Sequence, residues 1–180
     1  MIDKIKSNKK IIFIILAIVS CACIIPSIFG ILGNDINDSS ITTLVYYLCL
    51  IIANLLIIFF VFTKNELDLK LQLIPLVIAF GGIIVINVFN MIKYDSYSTI
   101  YYIAIYAAAI IVYLLYISKL EKLKYALYVL LAIILVFQIA SALSGSLFGI
   151  GILILVSIFA INLFLQNQEK GEKTEWKRQH

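Results

Sequence analysis

The chain has 180 residues, 63% of them hydrophobic and only 13% charged, and its 14 basic and 10 acidic residues give a formal net charge of +4. Its mean hydropathy is +1.09, whereas soluble domains average about 45–50% apolar and about 25% charged residues, and one this small has too little interior for so much apolar surface. The composition therefore places the chain in a bilayer and excludes a disordered protein, a disulfide-stapled secreted module and an ordinary cytosolic enzyme.

A helix needs ~20 apolar residues, at ~1.5 Å of rise each, to cross a hydrocarbon core of ~30 Å. After a basic N-terminal segment, residues 1–10, six uncharged runs meet that length: 11–33, 41–62, 71–92, 100–117, 125–143 and 147–165, followed by a charged tail, 166–180. Each run is continuously apolar rather than alternating, which predicts helices and not barrel strands. The expected fold is all-α: a polytopic bundle of six transmembrane helices whose short connections make consecutive helices antiparallel neighbours.

In the first span, Ile18-Val19-Ser20-Cys21 resembles the bacterial lipobox, in which a small residue precedes a lipidated cysteine. The chain stays apolar from Cys21 to Phe29, which favours an uncleaved span. Asn34-Asp35 suits a turn, and Asp38-Ser39-Ser40 suits an N-cap for the second span. That span carries Asn54 at its middle, on the face of Tyr47, and Glu66 and Lys70 beyond it have the i,i+4 spacing that continues a helix. In the third span Asn87 and Asn90 share a face with Tyr94. Tyr102, Tyr106 and Tyr113 share one in the fourth, and Gln138, Ser141 and Gly145 in the fifth. The 41 residues from Tyr125 to Leu165 would be ~60 Å long as one helix, so Ser144-Gly145-Ser146 is read as a turn between two spans, with a re-entrant pair as the alternative. Gly151, Leu155, Ile158 and Asn162 form a stripe on the sixth span, and Glu169/Lys173 repeats the i,i+4 pairing in the tail.

Basic residues sort by side. Lys4, Lys6, Lys9 and Lys10, Lys64 and Lys70, Lys119, Lys122 and Lys124, and Lys170, Lys173, Lys177 and Arg178 fall on one side, with Lys93 alone on the other. By the positive-inside rule both termini are expected in the cytoplasm. Tyrosines fit an aromatic belt in the same frame: Tyr46, Tyr47, Tyr94, Tyr97, Tyr101 and Tyr102 at the outer boundary, Tyr116, Tyr125 and Tyr128 at the inner one, with only Tyr106 and Tyr113 deep. The richness in Ile, Lys and Asn with a single Arg suggests a low-GC bacterium, hence a bacterial cytoplasmic membrane.

The spans hold no Asp, Glu, Lys, Arg or His, and the one histidine is His180. Intramembrane catalysis, metal binding and proton relays rest on such groups, so the reading is a protein that is not an enzyme and has no cofactor or metal. Cys21, Cys23 and Cys49 read as small packing residues, and Gly149-x-Gly151 has no phosphate-loop context. Asp35, Asp38 and Asp95 suit turns and caps better than a cation mouth. Function, if local, falls to neutral polar side chains: Asn54, Asn87, Asn90, Tyr106, Gln138 and Asn162. Asn87, Asn90, Tyr102, Tyr106, Gln138 and Ser141 are expected in the outer half, where they either bond helix to helix or line a small uncharged pocket.

The leading expectation is an accessory, assembly or immunity-type subunit acting through helix–helix contacts. The alternative is a binding or transport subunit for a small neutral or lipid-like molecule at the outward polar seam. Expected partners are the lipid bilayer and another membrane protein or a second copy of the chain. No basic-aromatic patch points to nucleic acid.

Overall fold

The structure is a computed structural model that describes residues 2–33, 38–64, 68–95, 97–118, 121–145 and 147–179. Six helices carry them: α1 (Ile2–Leu32), α2 (Asp38–Lys64), α3 (Leu69–Tyr94), α4 (Ile100–Ile117), α5 (Lys124–Leu143) and α6 (Leu147–Gln179). Short 3-10 turns, Tyr97–Thr99 and Glu121–Leu123, lead into α4 and α5. All six contain a stretch long and apolar enough to cross a membrane. Residues 124–143 and 147–179 form two full helices joined by a turn, each with a stretch long enough to span, rather than two half-helices. At the turn between α5 and α6, Gly145 has φ +83°, a left-handed conformation that glycine adopts without a Cβ clash.

Each helix packs on the next in sequence, α6 closes the ring by packing on α1, and α3 touches α6 across the middle. The termini share one end of the bundle, the termini end below, and the α1–α2, α3–α4 and α5–α6 connections mark the far end. Of the six, α6 is the enclosed helix, with 56% of its apolar window buried against 22–33% for the others. The stripe of Gly151, Leu155, Ile158 and Asn162 is buried in full.

Two glycines explain how α6 fits. Residues 149 and 151 lie two apart on a helix, hence on nearly opposite faces. A Cβ on Gly149 would lie 2.7 Å from Ser141 Oγ of α5, and one on Gly151 would lie 2.8 Å from Ile24 Cγ1 and 3.1 Å from the Ser20 carbonyl of α1. The backbone of α6 is thus wedged between two neighbours at a distance only hydrogen side chains allow, as small residues permit in membrane bundles. Gly82 gives α3 a similar approach to α2, where a Cβ would stand 3.0 Å from Cys49 Cβ. Cys49 is therefore a packing residue.

Several expectations change. Tyr46 and Tyr116 do not belong to an aromatic belt: both are buried inside the bundle, because their helix faces turn inward, while Tyr94, Tyr97, Tyr101 and Tyr125 are exposed. Glu66 lies outside the described residues, and Glu66/Lys70 cannot continue one helix, because Asp68 between them is extended (φ −61°, ψ 152°). Asp68 instead caps α3, its Oδ1 accepting from the Leu69 N–H at 2.7 Å and its carbonyl accepting from the Gln72 N–H at 2.8 Å. Helix α1 begins at Ile2 and α6 runs to Gln179, so the basic N-terminal segment and the charged tail continue their spans as helix, in the tail as the Glu169/Lys173 spacing leads one to expect. The Asn34-Asp35 turn lies outside the described residues, and so does the cap of α2, whose first helical residue is Asp38.

Candidate functional site

Apolar helices pack in lipid without a hydrophobic driving force between them, so the polar groups they carry report where helices are pinned together and where they are not. Three clusters are pinned. In the first, Ser20 Oγ of α1 donates to the Gly151 carbonyl of α6 at 2.8 Å. Asn54 Nδ2 of α2 donates to Ser20 Oγ at 3.0 Å and to its own Leu50 carbonyl at 2.9 Å. Asn54 is fully buried, and its Oδ1 has no hydrogen-bond partner.

The second cluster joins α3 to α6 near the termini end. Gln72, also fully buried, donates from Nε2 to the Phe159 carbonyl at 3.0 Å and accepts at Oε1 from Asn162 Nδ2. Tyr113 Oη of α4 donates to the Leu69 carbonyl at 3.1 Å beside it. In the third cluster Asn167 of α6 accepts from Tyr116 Oη of α4 and donates to Tyr128 Oη of α5 at 2.7 Å.

At the far end the polar residues surround space. Asn87 from α3, Tyr102 and Tyr106 from α4, and Gln138 and Ser141 from α5 line a cleft of about 200 Å³, completed by Tyr46, Ile83, Phe137 and Ile152. Its inner wall is fixed. Gln138 Nε2 donates to Tyr106 Oη at 2.7 Å, and the Tyr106 ring stands edge-on to Phe80 at 5.0 Å, which in turn meets Phe159 of α6 edge-on at 6.0 Å. Tyr106 and Gln138 are buried, Asn87 and Ser141 half-buried, and Tyr102 and Phe137 exposed at the rim. The cleft follows the α4–α5 seam, the sparsest contact between consecutive helices.

The six candidate residues therefore separate. Asn87, Tyr106 and Gln138 are brought together in the cleft. Asn54 and Asn162 lie in the first two clusters and bind neighbouring helices. Asn90 is half-buried on α3, outside the cleft lining. Asn87 makes no bond to another helix through its side-chain amide; its Nδ2 donates to the Ile83 carbonyl of its own helix at 2.7 Å.

Sequence reasoning missed Ser20, Gln72, Tyr116 and Asn167 as bonding residues. Gln72 was hidden at the edge of a span and Asn167 in the tail. For Ser20 the signal was present: a hydroxyl midway along an apolar run.

The cleft can hold and orient a small molecule by neutral hydrogen bonds and aromatic contact. No charged side chain lines it, and among the described residues no three His, Cys, Asp or Glu side chains gather into a metal-binding group. No family model matches the chain, and neither a curated protein nor a solved structure matches it.

Proposed function

We propose that the chain is a multi-pass protein of a bacterial cytoplasmic membrane, with both termini in the cytoplasm, that is not an enzyme. It binds a small uncharged molecule at the far end of its bundle, as the binding or transport subunit of a larger membrane system. The observation that carries this reading is the convergence of Asn87, Tyr106 and Gln138 from three helices on one cleft. With 13 of 14 basic residues on the termini side, the positive-inside rule turns the cleft outward.

Native mass spectrometry of protein released from its membranes tests the binding. An adduct held by the wild type and lost from folded Asn87→Leu and Gln138→Leu variants supports it. Identical adduct patterns in the wild type and the folded variants would instead mean that these groups do not hold a ligand. Orientation is read separately: an impermeant maleimide on whole cells should label Lys93→Cys directly and Lys122→Cys only after permeabilisation.

The accessory or immunity-type reading stands second. It is supported by the other five spans burying no more than 33% of their apolar windows within the bundle, which leaves wide lateral faces for other helices as well as for lipid. Crosslinking in native membranes that recovers one constant membrane partner, with no ligand at the cleft, would move it to first place.

A further inference from the structure

The cleft does not end at its rim. Phe137, which lines it, also forms one end of an apolar groove of about 330 Å³ on α5, made with Val129, Ala132, Ile133 and Val136. These positions follow i, i+3, i+4, i+7 and i+8, a single face of a helix. All five side chains are exposed, and Ala132, the smallest, forms the trough. At the join the rings of Tyr102 and Phe137 lie 5.7 Å apart.

The geometry points to a single-chain amphiphile with an uncharged, hydrogen-bonding head as the molecule the cleft takes. The head sits among Asn87, Tyr106 and Gln138, and the chain lies along the outer face of α5. This rests on the binding reading above and names the class of ligand.

Size is the first argument. A cleft of about 200 Å³ is little larger than an engineered cavity of about 150 Å³ that accepts benzene and is smaller than common whole-ligand pockets. It accommodates a head, not a whole lipid. Charge is the second. With no ionic side chain in the lining, a charged head would give up hydration without a counter-ion.

Hydrogen-bonding capacity is the third. Gln138 uses one N–H on Tyr106 Oη, so the Tyr106 O–H proton, the second Gln138 N–H and the Gln138 carbonyl stay available; Asn87 uses one N–H on Ile83 and keeps its carbonyl. A neutral head that both donates and accepts, such as a glyceride or a primary amide, is matched.

Direction is the fourth. From Phe137 to Val129 the groove runs about 12 Å back along α5, from the far half of the bundle across its middle toward the termini end. A molecule with its head in the cleft thus holds that head in the far half of the bundle, about 7 Å from the middle of α5 at Gln138, with its chain running along α5 past the middle, and reaches the site sideways past Tyr102 and Phe137. The surrounding lipid is as apolar as the groove, so the groove sets position while selectivity resides in the head.

The test uses the full chain in phosphatidylcholine nanodiscs with a monoacylglycerol carrying a mid-chain diazirine. Irradiation should place adducts on α5 between Val129 and Val136. Excess monolaurin should compete, and laurate, with the same chain but a charged head, should not. Gln138→Leu should lower the α5 adduct about tenfold, as loss of a buried hydrogen-bonding group implies. Ala132→Phe fills the groove from its lipid side without touching the interior, so it should give a comparable loss even if Gln138→Leu misfolds. Adducts spread over the outer faces of α1, α2 and α5 in proportion to exposure, without competition by monolaurin, would overturn the inference. If that happens while a Gln138-dependent adduct persists in native mass spectrometry, only the ligand class is wrong. If both are missing, the binding reading fails first and takes the ligand class with it.

Discussion

Gly151→Ala is the smallest change that tests how the ring is closed. The added methyl would lie 2.8 Å from Ile24 Cγ1, 3.1 Å from the Ser20 carbonyl and 3.3 Å from Cys23 Cβ. Ile24 is fully buried, so it cannot swing away, and the carbonyl belongs to the α1 backbone. The two helices must therefore move apart. Overpacking of this kind costs about 1–3 kcal/mol. Stretching the Ser20–Gly151 hydrogen bond forfeits about 0.6 kcal/mol more, typical of interhelical bonds in membranes. Alanine gives back at most about 1 kcal/mol in helix propensity.

A net loss of about 1–2 kcal/mol results. Gly81→Ala is the control, since a Cβ there meets nothing within 4 Å; it should be neutral or slightly stabilising. Unfolding by SDS in mixed micelles, followed by far-ultraviolet circular dichroism, measures both. If Gly151→Ala is as stable as wild type, or the two alanines behave alike, α1 and α6 do not approach as closely as described.

Other outcomes follow from the pinned clusters. Asn54→Leu should fall within about 0.5 kcal/mol of wild type or exceed it, because an amide with an orphaned oxygen gains little over a similar apolar volume. Gln72→Leu should cost about 1–3 kcal/mol in the same SDS assay, since it removes a buried amide bonded at both its nitrogen and its oxygen and leaves the Asn162 amide without its Gln72 acceptor. A double-mutant cycle of Tyr106→Phe and Gln138→Leu should return a coupling of about 0.6–1.7 kcal/mol, and a value near zero would mean the two do not bond in the membrane. Intact mass of the purified protein should include residues 1–20; loss of that segment by lipobox processing would remove Ser20 and with it the bond to Gly151.

The number of helices and their approximate edges were legible because the bilayer imposes a length and forbids charge, and both constraints act on one helix at a time. The sharing of faces within a helix was equally legible, since a 3.6-residue period fixes it. Axial height was too: Asn87, Tyr106 and Gln138 were expected in one half of the bundle, and the cleft holds all three. Azimuth between helices was not. Nothing in the sequence says that Asn54 turns toward Ser20, or Asn162 toward Gln72, because that depends on how six nearly uniform apolar cylinders are rotated. Nor does the spacing of Gly149 and Gly151 name the helices they touch. Tyr46 and Tyr116 were misplaced for the same reason, since a tyrosine near a span end can face lipid or a neighbouring helix with identical spacing.

The enclosure of α6 has a consequence for biogenesis. Of these six helices it leaves the ribosome last, yet it supplies the acceptor for Ser20, the partner of Gln72 and the amide between Tyr116 and Tyr128. Until it inserts, α1 to α5 form an open arc whose inward polar groups face lipid without their final partners, a state that costs free energy at each one. Assembly is thus gated by the final insertion event. A chain stopped before Gly149 carries its own mark of incompleteness, a set of exposed amides and hydroxyls in the membrane that a quality-control protease or chaperone can recognise.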